Sequence, residues 1–196
     1  MTKGRLLAFS DGVIAILITI MVLELRVPHG ADWSALREDL PVLLAYVLSF
    51  VNVGIYWNNH HHMLFVVNRV SGASLWANLH LLFWLSLVPF TTAWMSENNF
   101  AALPVAVYDF VLLAAAIAYY ILQTTLLRVP ENTILGTAVG RDVKGKLSPF
   151  IYAAGVGLAF VDRWLGVASA VVVAVTWFVP DRRVERTLAA TGDAET

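Results

Sequence analysis

The residues of this sequence that could do chemistry are ionisable side chains set inside long apolar runs. Asp11 lies in the first run, His80 in the third and Asp109 in the fourth, and a row of histidines follows the second: His60, His61 and His62. An ionisable group within a membrane span is costly, so it is either paired inside a helical bundle or part of a pathway for an ion or a proton.

The three carboxylates can each be interpreted in two ways. Asp11 is either a buried anchor that accepts hydrogen bonds from other helices, which we favour, or a ligand that binds an ion or a proton. Glu24 is either a solvated interfacial carboxylate or a charge at a pore mouth that raises the local cation concentration. Asp109 has no obvious partner in the sequence and pairs with a histidine or lies near the interface.

The histidines are not spaced for metal binding. Consecutive residues of a helix point about 100° apart, so His60, His61 and His62 cannot all converge on one ion. The sequence also has no complete phosphate loop of the form Gly-x-x-x-x-Gly-Lys-Ser/Thr, no Gly-x-Ser-x-Gly elbow and no His-Glu-x-x-His. We therefore predict no enzyme activity, no metal and no cofactor, and expect one histidine to reach the carboxylate of the first span.

The composition predicts the elements that must position these groups. Hydrophobic residues make up 59% of the 196 residues and charged residues only 14%, against about 25% charged in a soluble domain. This balance indicates a polytopic membrane protein. A net charge of −1 leaves no basic surface for nucleic acid, and the lack of cysteine excludes disulfides and thiolate sites.

Six apolar runs predict an all-α integral membrane protein with six transmembrane helices in one domain, residues 1–187, followed by a disordered tail, 188–196. The last two spans are short, and they form either a tight hairpin or a re-entrant pair. The predicted spans are 6–25, 40–57, 75–95, 101–127, 149–161 and 164–179.

The distribution of Lys and Arg predicts that both termini are cytoplasmic. In this layout only Arg26, Arg37 and Arg163 lie outside, and the other ten basic residues lie inside. Removing the last two spans as a unit would keep the C-terminus inside, so the charges do not distinguish four spans from six. The ten are Lys3, Arg5, Arg69, Arg128, Arg141, Lys144, Lys146, Arg182, Arg183 and Arg186.

The first span carries two apolar faces. Phe9, Ile20 and Leu23 point within about 40° of Ile16, and Asp11 points about 140° away. Gly12 and Thr19 flank this stripe. The opposite face is equally apolar, so periodicity alone does not choose which one faces a pore. Its residues are Ile14, Ile18, Met21 and Leu25.

The motif in this span identifies a resemblance. Arg5, the run Phe9-Ser10-Asp11-Gly12-Val13, Ala15-Ile16, Thr19 and Leu23-Glu24-Leu25 closely resemble the signature of the transmembrane protein 175 family of potassium channels. The Trp and His residues at the end of the second span add to it. The resemblance implies a homotetramer in a lipid bilayer, six helices per subunit, with the first helix of each subunit lining a central pore.

The resemblance also implies roles for individual residues. Bulky side chains on the first helix replace a carbonyl filter, so Ile16, Ile20 and Leu23 form the constriction and gate, with Thr19 contributing to ion selection. Arg5, Phe9, Ser10 and Asp11 belong to a structural network with Trp, Asn and His groups of neighbouring helices. The histidine is left open among His60, His61, His62 and His80.

We therefore predict a potassium-permeable channel in a bacterial plasma membrane, with potassium as the permeant ion. Its expected partners are further copies of the same chain, the lipid bilayer and potassium ions. The alternative is a proton-coupled secondary transporter that uses Asp11, Asp109 and the histidines. A third interpretation, a membrane enzyme with a histidine-bound metal, is the least favoured.

Overall fold

The computed structural model describes residues 2–25, 27–140 and 142–178, and this part of the chain is helical. Four segments are long and apolar enough to cross a membrane. They are Lys3–Glu24, Leu40–Phe65, Gly72–Glu97 and Ala102–Leu127.

The first two membrane-capable segments are joined by a connection that contains one short helix. Helix α1, Lys3–Met21, continues into one 3-10 turn, Val22–Glu24. A short helix α2, Trp33–Glu38, is capped by Asp32, whose carboxylate accepts a 3.1 Å hydrogen bond from the backbone N–H of Ala35. That bond holds the pKa of Asp32 below its usual range.

Helix α3, Leu40–Phe65, begins with a proline in its first turn and runs without interruption for 26 residues. It therefore continues eight residues beyond the predicted end of the second span at residue 57. The row of histidines lies within its last turns and does not form a cap beyond the helix.

The third segment is made of two helices, α4, Gly72–Ser86, and α5, Val88–Glu97. Leu87 separates them because Pro89, in the first turn of α5, has no N–H to continue the helical hydrogen bonds. A tight turn in which Asn99 and Phe100 both have positive φ, 50° and 56°, leads into α6, Ala102–Leu127.

The last part of the described chain has three shorter helices: α7, Thr133–Val139, α8, Val143–Leu158, and α9, Arg163–Phe178. Asp142 caps α8 through a 3.1 Å hydrogen bond from the N–H of Gly145. Helices α8 and α9 have 16 residues each, about 24 Å at 1.5 Å per residue, and the hydrocarbon core is about 30 Å thick. Both helices are shorter than the hydrocarbon core, so the count of six spans stays a prediction. The predicted tail, 188–196, lies outside the described residues.

Helix α6 is the centre of the fold and contacts α4, α5, α8 and α9. Small side chains let its neighbours approach closely: Ala115 and Ala118 of α6 are fully buried, and a methyl group at Gly155 of α8 would collide with Asp109 and Ser169. Helix α1 lies at the edge of this bundle, against α3, α4 and α5. Only one face of α1 is therefore covered by its own chain.

Candidate functional site

The structure separates the two apolar faces of α1. The packed face contains Ile14 and Met21, each 1% exposed, so this half of the predicted opposite face lies in the core of the fold. The stripe centred on Ile16 is uncovered: Ile16 is 58% exposed, and Phe9, Ile20 and Leu23 are exposed with it. Bulky apolar side chains therefore project from the helix bundle along one line of α1.

The uncovered stripe has polar residues at both ends and one in the middle. Arg5 and Glu24 are exposed near its two ends. The hydroxyl of Thr19 donates to the carbonyls of Ala15 and Ile16, at 3.1 Å and 3.0 Å. Because its proton is used within the helix, the outward side of the Thr19 oxygen has lone pairs, which suit a cation.

The packed face of α1 contains a buried hydrogen-bonded chain. Ser10 donates to the carbonyl of Leu6 at 2.9 Å and accepts from the side-chain amide of Asn78, on α4, also at 2.9 Å. The amide oxygen of Asn78 lies 2.7 Å from Nε2 of His60, on α3. Since that oxygen can only accept, Nε2 of His60 carries a proton and donates it. The chain joins α1, α4 and α3.

Asp11 makes a separate contact with α3. The indole N–H of Trp57 donates to Oδ1 of Asp11 at 3.1 Å. Asp11 is half-buried, at the edge of the packed face. Its hydrogen-bond partner is thus a tryptophan, and the buried histidine reaches the motif through Ser10 and Asn78.

The other predicted network residues lie apart from this cluster. His61 stacks on Phe65, with ring centroids 6.4 Å apart, and His62 lines a cavity of about 610 Å³ with Gln123 and Asp142. His80 accepts a 2.9 Å hydrogen bond from the indole N–H of Trp84. Arg5 and Phe9 are exposed, and Arg5 makes no hydrogen bond within residues 2–25, 27–140 and 142–178.

Asp109 does not join the network of α1. It is fully buried in α6 beside Gly155 and Ser169. Within the described residues, no group of three or more His, Asp or Glu side chains is arranged to hold a metal ion.

Sequence reasoning missed Asn78, which bridges Ser10 and His60. The sequence feature that could have identified Asn78 is an amide side chain inside an apolar run, two residues before His80. It also missed a second buried group in which Ser49 lies 2.7 Å from the hydroxyl of Thr92 and 3.0 Å from that of Tyr108. Hydroxyl groups in an apolar run are too common to single out without the helix packing.

Comparison with known proteins decides the family. Residues 5–89 match the family model described as endosomal/lysosomal potassium channel TMEM175. This range includes α3, α4, all of α1 except its first two residues, and every member of the hydrogen-bonded chain. A protein of Chryseobacterium sp. (strain P1-3), named a potassium channel, is 50% identical over 96% of this chain and 98% of its own. The chain belongs to the TMEM175 family.

Two further comparisons extend over most of the chain. A potassium channel of Streptomyces collinus is 36% identical over 85% of this chain and 87% of its own. The crystal structure of a lysosomal potassium-selective channel TMEM175 homolog from Chamaesiphon minutus superposes with a TM-score of 0.74 and 31% identity, covering 90% of this chain and 96% of that chain. The helix arrangement beyond residue 89 is therefore shared as well.

Membership confirms the family predicted from the motif and the expectation of a membrane protein with several spanning helices. TMEM175 is a potassium channel family and not an enzyme family.

Proposed function

We propose that this chain forms a potassium-permeable cation channel in which α1 helices of four copies surround a central pore. One observation carries the proposal: α1 packs into its subunit through Ser10, Ile14 and Met21 and leaves a line of large apolar side chains uncovered. The names of the bacterial TMEM175 relatives supply the ion.

The uncovered line suits a gate made of apolar rings. A ring of four Ile16 side chains offers no oxygen to replace the hydration shell of an ion, so a narrow ring stops ions through the cost of desolvation and by dewetting. Ile20 and Leu23 repeat this barrier about one and two turns further along α1. Conduction requires the helices to tilt or turn until a largely hydrated ion fits.

Such a pore selects potassium over sodium modestly. The larger ion loses its water at lower cost, and the outward lone pairs of the Thr19 hydroxyl assist partial dehydration next to the Ile16 ring. Glu24, exposed at one end of the stripe, increases the cation concentration at that mouth.

The polar contacts of α1 hold this face toward the pore. Ser10 and Asp11 point about 100° apart around the helix, and they bind side chains of α4 and α3, respectively. Contacts in two directions resist rolling of α1 about its axis. In this proposal Asp11 is therefore an anchor and not an ion ligand.

The proposal includes a topology. Six helices cross a bacterial plasma membrane, α8 and α9 form the short pair, and both termini lie in the cytoplasm. The distribution of Lys and Arg supports this orientation.

Ion flux from liposomes tests the channel function. Purified protein is reconstituted into potassium-loaded liposomes, and flux is compared in external sodium, caesium and a bulky organic cation, with empty liposomes as control. We expect flux of potassium and caesium above that of sodium without a proton gradient. Flux that occurs only with an imposed pH gradient would instead support a proton-coupled transporter.

A further inference from the structure

A groove between α3 and α9 combines a cationic mouth with an apolar floor. The space in this open groove is about 1060 Å³. Arg37 and Arg163, with Trp164 beside them, line one end, and Leu44, Leu48 and Val171 line the apolar part. Helices α3 and α9 both begin at the end that carries the arginines.

The apolar part continues into a second depression of about 760 Å³, which shares Leu44, Leu48 and Val171 and extends to Phe178. From Leu40 to Val51 the two depressions follow twelve residues of α3, and the eleven steps between them correspond to about 16 Å of helix. The hydrocarbon core of a bilayer is about 30 Å thick. The combined groove therefore has the depth of one leaflet.

The arginines at the mouth have donors available for an anion. Arg163 uses one N–H on the carbonyl of Asn99, at 3.1 Å, and its guanidinium lies 5.3 Å from the centre of the Trp164 ring. These contacts fix its position, and a guanidinium has five N–H donors. Arg37 is exposed and makes no ion pair with the described residues. The nearby Asp162 caps α9 through the N–H of Trp164, at 2.8 Å.

We propose that this groove binds one anionic phospholipid, with the phosphate between Arg37 and Arg163 and an acyl chain along Leu44, Leu48 and Val171. Two guanidinium groups match the oxygens of a phosphate. The apolar floor has the length of an acyl chain in one leaflet. Under the topology proposed above, this is the outer leaflet.

Native mass spectrometry of the full-length protein tests the site, with phosphatidylglycerol and phosphatidylcholine of the same acyl chains as probes. The wild type should prefer phosphatidylglycerol, and Arg37→Gln with Arg163→Gln should weaken its binding roughly thirtyfold. Leu48→Trp, which fills the floor, should weaken both lipids. The control Arg128→Gln, an exposed arginine at the end of α6, should change neither.

Two results would overturn the lipid assignment. One is unchanged phosphatidylglycerol binding in the double arginine variant. The other is equal competition by inorganic phosphate, which would show an anion site without an acyl chain.

A single cysteine distinguishes lipid from a second copy of the chain, because the natural sequence contains no cysteine. Leu44→Cys should react with maleimide in delipidated protein and become protected when phosphatidylglycerol is added. Protection in the delipidated oligomer would mean that another subunit covers the groove, and the proposal would fail.

Discussion

The indole N–H of Trp57 donates a 3.1 Å hydrogen bond to Oδ1 of Asp11. The adjacent residue, Ser10, points about 100° away and is bound by Asn78 of α4. Two neighbouring residues of α1 are thus held by two different helices. These two contacts fix the rotation of α1 about its axis, and in that orientation Ile16 is not covered by the rest of the chain.

Removal of the Trp57 donor should weaken the attachment of α1 without emptying space in the core. Trp57→Phe keeps an aromatic ring and loses the N–H, and we expect a loss of about 1 kcal/mol, because Trp57 is 43% exposed and the bond is only partly shielded. Thermal unfolding in detergent measures the loss. Trp76→Phe, at a tryptophan that is 76% exposed, is the control, and equal stability of the two variants would contradict the anchor role.

Asp11→Ala should chiefly reduce the yield of tetramer, because it removes the carboxylate that binds Trp57. Size-exclusion chromatography with light scattering measures the oligomer, and flux in liposomes measures conduction. A stable tetramer with altered conductance would show that Asp11 acts on the ion and would overturn its assignment as an anchor.

The side-chain amide of Asn78 should contribute more to stability than Ser10 or His60, the two residues that it joins by hydrogen bonds. Asn78→Ala leaves the proton on Nε2 of His60, which is fully buried, without its acceptor. Ser10 loses the donor from Asn78 and keeps its bond to the carbonyl of Leu6. A buried polar group left unsatisfied costs about 1–3 kcal/mol. We expect a large fall in thermal stability. Asn98→Ala, which removes an exposed amide bonded to its own helix, should have little effect, and similar losses for the two variants would contradict the bridging role.

The two faces of α1 should differ in their access from the pore. With a background free of cysteine, Ile16→Cys and Ile20→Cys should react with a cationic methanethiosulfonate and lose potassium flux. Leu17→Cys, at a position that is 7% exposed, should not respond. Flux inhibition through Leu17→Cys and not through Ile16→Cys would assign the pore to the other face.

Asn132 should be essential for joining the α3–α4 connection to the end of α6. Its oxygen accepts from the N–H groups of Asn68 and Arg69, and its amide nitrogen donates to the carbonyls of Arg69 and Leu126, all at 2.9–3.0 Å. Asn132→Asp keeps the two acceptor contacts and loses both donors, so we expect a loss of about 2 kcal/mol or more. Asn58→Asp, at an exposed site on α3, is the control for the added charge in thermal unfolding.

The motif predicted the family. The apolar runs predicted all four membrane-capable helices, because a helix that crosses a bilayer needs about 20 consecutive, mostly apolar residues. The motif also located Ser10 and Asp11. The sequence could not show which face of α1 is packed, because Ile14 and Ile16 have the same side chain. The positions of α3, α4 and α5 show that Ile14 is covered and Ile16 is not.

The sequence could not show which histidine joins the network of α1, because this also depends on how the helices pack. His60, His61 and His62 point in three directions around α3, and the direction that meets α1 depends on how α3 and α4 pack. The bridging role of Asn78 has the same origin, because the contact between Ser10 and Asn78 joins residues 68 positions apart.

The central claim is that Ile16 forms the constriction of a pore, and sodium flux in the Ile16→Asn variant tests it most directly. An amide at this ring should hydrate the constriction, raise the potassium leak and raise the sodium leak more, so that the preference for potassium falls. The matched control is Ile117→Asn, at an exposed isoleucine of α6, which should leave flux unchanged. Unchanged flux and unchanged selectivity in Ile16→Asn would contradict the account.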